Sequence, residues 1–158
     1  MKKSVLTFFI IALAIGCKKE KTNPAPTINY LDVGYIEVLD EELNRLVDPT
    51  SKLEILSQGH DWTEGPLWLD DQKTLLFSDI PRNTVYSWSK DNGVQEYLKP
   101  SGFTGEHFEG SEPGANGLLL DPQGSLILCQ HGNRQVARMN SDIDDPKPEF
   151  TILVSDLD

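Results

Sequence analysis

Two stretches of this 158-residue chain repeat each other without a gap. Residues 65–88 read GPLWLDDQKTLLFSDIPRNTVYSW, and residues 116–139 read NGLLLDPQGSLILCQHGNRQVARM, an offset of 51. Leu67, Leu69, Asp70, Gln72, Leu75 and Val85 fall on Leu118, Leu120, Asp121, Gln123, Leu126 and Val136. A period of about 50 residues, built of short apolar runs between turn residues, predicts a β-propeller in which each repeat is one blade. Two blades cannot close a ring. The repeat therefore predicts an all-β fold and a chain that holds only part of it.

Each repeat supplies four strand candidates. In the first they are Pro66–Leu69, Thr74–Ile80, Thr84–Ser89 and Val94–Lys99, joined by Asp70-Asp71-Gln72, Pro81-Arg82-Asn83 and Asp91-Asn92-Gly93. In the second they are Gly117–Leu120, Ser125–Gln130, Gln135–Met139 and Glu149–Val154, with turns at Asp121-Pro122-Gln123-Gly124 and Gly132-Asn133-Arg134. Asp, Asn, Pro and Gly set these turns because each favours a turn conformation. The runs Leu118-Leu119-Leu120 and Leu126-Ile127-Leu128 are apolar on both faces, as strands sandwiched between blades require. Trp62, Trp68 and Trp88 read as core and blade-packing residues. Ahead of the repeats, Asp40 is placed to cap a short helix carrying Leu43, Leu46 and Val47. Residues 52–57 alternate like a one-sided edge strand. Between the repeats, residues 100–115 have four glycines and no strand signal, which marks a functional loop. The loop lacks the Gly-Lys-Ser/Thr pattern of a phosphate loop, and Glu106, Glu109 and Glu112 would repel phosphate.

The N-terminus reads as a targeting segment. Lys2 and Lys3 precede an apolar run from Val5 to Ile15, followed by Gly16 and Cys17. Eleven residues are too few to span a bilayer as a helix. The run resembles a bacterial lipobox, with Ile15 where a small residue is more usual. That resemblance implies a signal peptide at 1–16, lipid on Cys17 and an anchored protein at the bacterial cell envelope. Residues 17–34, charged and then rich in Asn and Pro, read as a tether. The partial propeller occupies 35–158. With Cys17 lipidated, Cys129 has no disulfide partner. Inside an apolar run it reads as a small buried thiol; the alternative is a nucleophile with His131 as its base. The net charge of −11 argues against a nucleic-acid partner and suits cation binding or plain solubility. Oligomeric state is not encoded in any of these features.

Several strings then coincide in order. Trp62-Thr63-Glu64-Gly65-Pro66-Leu67-Trp68, Leu75-Leu76-Phe77-Ser78-Asp79-Ile80-Pro81 and Val85-Tyr86-Ser87-Trp88 resemble the opening blade of the gluconolactonase and regucalcin family. Ala115-Asn116-Gly117-Leu118, Asp121-Pro122-Gln123-Gly124 and Cys129-Gln130-His131-Gly132-Asn133-Arg134 resemble the next blade of its bacterial gluconolactonase branch. The resemblance implies a six-bladed propeller with a divalent cation, usually Ca2+, held in the central channel by oxygen ligands, and a sugar lactone as substrate. It assigns Glu64 to the metal. Asn116 is assigned to metal or substrate. A later Asp that serves the chemistry in this family falls beyond residue 158, so no catalytic residue is expected in this chain, and the chain by itself is expected to be inactive. Gly114 stands where regucalcin-like members carry a substrate-contacting Arg.

Each residue also has a plainer reading. Glu64 could cap a turn before Gly65-Pro66, and Asn116-Gly117 is a turn signal. His131, at a strand end, would bind substrate hydroxyls or serve as a structural histidine. Asp79 reads as a structural hydrogen-bond acceptor. In the ungapped repeat Glu64 lies over Ala115 rather than Asn116, so aiming both at one channel requires a bulge or an uneven loop. A non-enzymatic ligand-binding lipoprotein, and an esterase or phosphotriesterase on the same fold, are the alternative functions.

Overall fold

The structure, a computed structural model, describes residues 34–156. The expected signal at 1–16, Cys17 and all of the tether but Gly34 lie outside the described residues. The described chain is all-β apart from one turn of 3-10 helix, Glu41–Arg45. Its strands are β1 (Thr63–Leu69), β2 (Thr74–Asp79), β3 (Thr84–Ser89), β4 (Gly93–Leu98), β5 (Ala115–Leu120), β6 (Leu126–Gln130), β7 (Gln135–Met139) and β8 (Phe150–Val154). They form two antiparallel four-stranded meanders, β1-β2-β3-β4 and β5-β6-β7-β8, which we call blades 1 and 2.

The turns explain why the chain reverses where it does. Asn83 and Arg134, one repeat apart, both take a φ of 53°, ending the β2–β3 and β6–β7 turns. In the turn before β6, the Asp121 carboxylate accepts from the main-chain N–H groups of Gln123 and Ser125, each at 2.9 Å. Asp and Asn suit such positions because their short side chains bond to nearby backbone. The middle strands keep the 51-residue offset. Phe77 pairs with Tyr86 as Leu128 pairs with Ala137. The outermost strand drifts: Tyr86 pairs with Glu96, but Ala137 pairs with Ile152. A longer connection, residues 140–149 against 90–92, produces that shift.

The two blades stack face to face through one apolar cluster. Blade 1 contributes Leu69, Leu76, Val85 and Leu98, and blade 2 contributes Ala115, Leu118, Leu126, Leu128 and Met139. Side chains alternate along a strand, so Leu76 and Ser78 face blade 2 while Phe77 and Asp79 face away. Burying one such leucine contributes about 1.5–3 kcal/mol relative to leaving it exposed. The cluster therefore makes the stacking a large part of what holds the two blades together.

Four expectations are corrected. Residues 52–57 form no strand, because alternation alone cannot make one without a ladder partner, and no neighbouring edge pairs with them. Cys129 is exposed rather than buried. It sits on the face of β6 opposite Leu126, Leu128 and Gln130, and that face of blade 2 carries no further blade among the described residues. Leu119 on β5 is exposed as well, and so is Leu120, so the two-sided burial expected of β5 holds only for Leu118. Trp62 and Trp68 are also exposed instead of packed in the core, and Trp88 is half-buried. The Asp40 cap forms as expected, with Asp40 accepting from Glu42 N–H at 2.9 Å, but Leu46 and Val47 after it stay exposed.

Candidate functional site

The expected ligands Glu64 and Asn116 come from the innermost strand of each blade, β1 and β5. The ladder register shows how they correspond. Thr63 faces Asp79, and Ala115 faces Gln130. Asp79 and Gln130 are one 51-residue offset apart, so Ala115 occupies the place of Thr63. The next residue, Asn116, then occupies the place of Glu64. The inner strand is thus shifted by one residue relative to the ungapped sequence repeat. Both strands also break register at this point, between Glu64 and Leu67 and between Ala115 and Leu118. Such irregularities re-aim side chains at the rims of β structures.

The main chains of the two positions are in contact. Gly65 adopts a φ of +61°, and a Cβ there would lie 2.3 Å from the Asn116 carbonyl oxygen. Only glycine permits both that conformation and that approach. The Ser78 hydroxyl donates to the same carbonyl at 2.8 Å. Glu64 and Asn116 are both half-buried. The Asn116 side-chain oxygen, however, is buried and accepts no hydrogen bond. Buried amide oxygens rarely go unpaired. A hard oxygen donor left free beside a carboxylate-bearing strand fits a divalent cation such as Ca2+. Among the described residues no three His, Cys, Asp or Glu side chains gather into a metal cluster.

His131 lies where the sequence put it, in the turn just after β6. It is exposed, with Nε2 3.9 Å from the Glu112 carboxylate. The inter-blade loop brings Glu112 there and is well tied. Phe103 N–H donates to Pro113 O at 2.6 Å, Gly114 N–H to Ile80 O at 2.9 Å, and Ala115 N–H to the Ser101 hydroxyl at 3.1 Å. Gly102, Gly114 and Gly132 lie against backbone so closely that a Cβ on any of them would clash. Gly114 packs on Ile80, which leaves no room for an arginine at that position. A separate open groove of about 430 Å³, lined by residues such as Thr104, Asn133 and Phe150, includes none of Glu64, Asn116 or His131.

Around Asp79 the structure gathers residues that the sequence did not single out. Asp79 is fully buried and accepts from the N–H groups of Asp61 and Trp62 at 3.2 and 3.3 Å. This is the structural role expected of it. Arg82 reaches it at 3.4 Å and makes a two-armed bridge to Asp61 at 2.9 and 3.2 Å. The hydrogen bond from Arg82 holds the Asp61 carboxyl below its usual range, against an opposing desolvation, and the bridge raises the Arg82 guanidinium. His60 hydrogen-bonds Ser57 and packs edge-on against the rings of Phe77 and Tyr86, 5.0 and 4.9 Å away. The order Ser57, His60, Asp79 resembles a nucleophile, base and acid. Yet His60 Nδ1 stands 3.4 Å from Asp79 and makes no hydrogen bond to it. The trio works as a latch that closes residues 57–62 over blade 1. Its sequence trace was slight: a Ser and a His three apart, and an Arg in a turn.

Two stacked antiparallel meanders, with their innermost strands carrying a carboxylate and a free amide oxygen, define a propeller-type all-β protein. Residues 62–155 match the model of the SMP-30/Gluconolactonase/LRE-like region, and the chain belongs to that family. A gluconolactonase from Zymomonas mobilis is 32% identical over 115 residues, covering 72% of this chain and 32% of the relative. A solved gluconolactonase from Xanthomonas campestris superposes with a TM-score of 0.59 at 26% identity, covering 79% of this chain and 36% of that one. The chain thus spans about a third of the length of these relatives.

Proposed function

We propose that this chain supplies two blades, and the Glu64–Asn116 part of the cation site, of a sugar-lactone hydrolase that uses Ca2+ or a similar hard divalent cation. Membership of the family supports the reaction class. The single observation that supports the cation is the buried, unpartnered Asn116 side-chain oxygen, on a strand whose main chain touches the residue next to Glu64. When bound, the cation would supply Lewis-acid polarisation of a lactone carbonyl. The residues of this chain do the rest of what can be assigned. Glu64 and Asn116 hold oxygen donors at the inner strands, and His131 with Glu112 offers a polar rim for substrate hydroxyls. Two protein ligands bind Ca2+ weakly, with a dissociation constant of about a millimolar, because affinity follows ligand number. We further propose, from the sequence of residues 1–17, a lipid-anchored form at the cell envelope.

The test has two arms. On this chain, Ca2+ titration followed by NMR should shift Glu64 and Asn116 resonances, and Glu64→Gln should abolish the shift. On a natural form in which these blades sit within a closed ring, lactone hydrolysis should be lost both with chelator and with Glu64→Gln. Turnover that survives both treatments would sink the cation reading. A panel of lactones, aryl esters and phosphotriesters decides the reaction class; preference for either of the last two would replace the lactonase reading.

A further inference from the structure

The geometry points to Ser78 as the positioning residue of the cation-binding pair, an inference that rests on the reading of Glu64 and Asn116 given above. Ser78 is fully buried and sits directly opposite Glu64 in the β1–β2 ladder. Its hydroxyl donates at 2.8 Å to the main-chain carbonyl of Asn116 in the other blade. One small side chain therefore bonds one ligand's backbone while pairing with the other's. The β5–β6 ladder skips Asn116 and Gly117, so regular sheet pairing does not fix Asn116. Ser78 provides the fixation that the ladder does not. Gly65, next to Glu64, lacks the Cβ that would collide with the Asn116 carbonyl and push the two strands apart.

The consequence is a division of labour. Asn116 is anchored through its main-chain oxygen, and its side-chain oxygen is left free and buried. Without that anchor the strand is free to rotate and bring the amide oxygen to a solvent or backbone donor, since leaving a buried acceptor unpaired is costly. Outer groups that orient ligands commonly change metal affinity about 10- to 100-fold when removed. Serine suits this position because its hydroxyl is short and its proton rotates to meet the acceptor.

The test compares the 158-residue chain with Ser78→Ala and Ser78→Thr, using Ca2+ alone as the probe. Side-chain amide resonances of Asn116 give the affinity, and their relaxation in metal-free protein gives the order of the side chain. The expected result is Ca2+ binding weakened about ten-fold or more in Ser78→Ala, a more mobile Asn116 amide before metal is added, and recovery of both in Ser78→Thr. Equal affinity and equal order in Ser78→Ala would overturn the role of Ser78 and leave the cation site standing. Ca2+ that moves neither Glu64 nor Asn116 in the unmodified chain would overturn the site itself, and the positioning role with it. Should Ser78→Ala fail to fold, Ser78→Cys carries the comparison, because a thiol fills the space but donates weakly.

Discussion

Blade 2 presents Leu126, Leu128 and Gln130 to blade 1, and the contact is almost wholly apolar. The equivalent face of blade 1 presents Phe77 and Asp79, and here the cover is a short polar segment. His60 lies against the Phe77 and Tyr86 rings, the Asp61 and Trp62 N–H groups bond Asp79, and Arg82 clamps Asp61. The rim residues nevertheless do parallel jobs. Asp79 grips the chain just before β1, and Gln130 donates at 3.0 Å to Ser101 O in the loop that leads to β5. A repeated backbone thus keeps the same grip on the preceding chain while filling its faces by different chemistry. One face is held by volume, the other by charge and hydrogen bonds, and the two should fail under different insults.

The largest effect expected is on the apolar side. Leu128→Ala removes a fully buried side chain from the stacked cluster and should cost about 2–5 kcal/mol. His60→Ala on the polar side should cost only about 1–2 kcal/mol, the value of its ring contacts. Urea melts of the two variants measure both, and equal losses would break the contrast. A middle-sized difference is expected at the rims. Asp79→Asn should cost about 3 kcal/mol, since it strips charge from a buried acceptor facing Arg82. Gln130→Met should cost about 1–2 kcal/mol, through the unpaired Ser101 carbonyl and Gln135 amide. The reverse ranking by urea midpoint would show that the charge contributes nothing to the grip.

The smallest effect is a pH dependence confined to blade 1. The Asp61 carboxyl is depressed by its bond to Arg82. A depressed acid stabilises the fold fully above its unfolded value of about 3.9 and loses that contribution as pH falls through the lower folded value. The gap in urea midpoint between the unmodified chain and Asp61→Asn should therefore hold from pH 7 to about pH 4 and close below it. The gap for Leu128→Ala should stay open throughout. An Asp61→Asn gap that persists undiminished to about pH 3 would count against the bridge.

Much of the fold was legible because strand and turn signals are local. Alternation and turn chemistry located all eight strands of the described residues, two of them with a start displaced by two or more residues. The misreadings share one cause. The 52–57 alternation, the thiol of Cys129 and the rings of Trp62 and Trp68 were assigned from their own character, whereas pairing and burial depend on what lies across from them. Of the candidate site, Glu64 and Asn116 were legible as motif residues, and His131 as a strand-end residue. Ser78, His60 and Arg82 were not, because each acts on a partner distant in sequence: Asn116, Phe77 with Tyr86, and Asp61.

The sequence by itself determined the repeat, the two meanders, the turn positions and the family to which they belong, since each of these rests on patterns a few residues long. Only the tertiary structure decided the correspondence of Glu64 with Asn116. The ungapped repeat set Glu64 over Ala115, and a single residue of slippage in the inner strand moved it. Register is a property of two strands together, set by the bulges and by the close contact of Gly65, Ser78 and Asn116 between blades. No pattern along one strand carries that information.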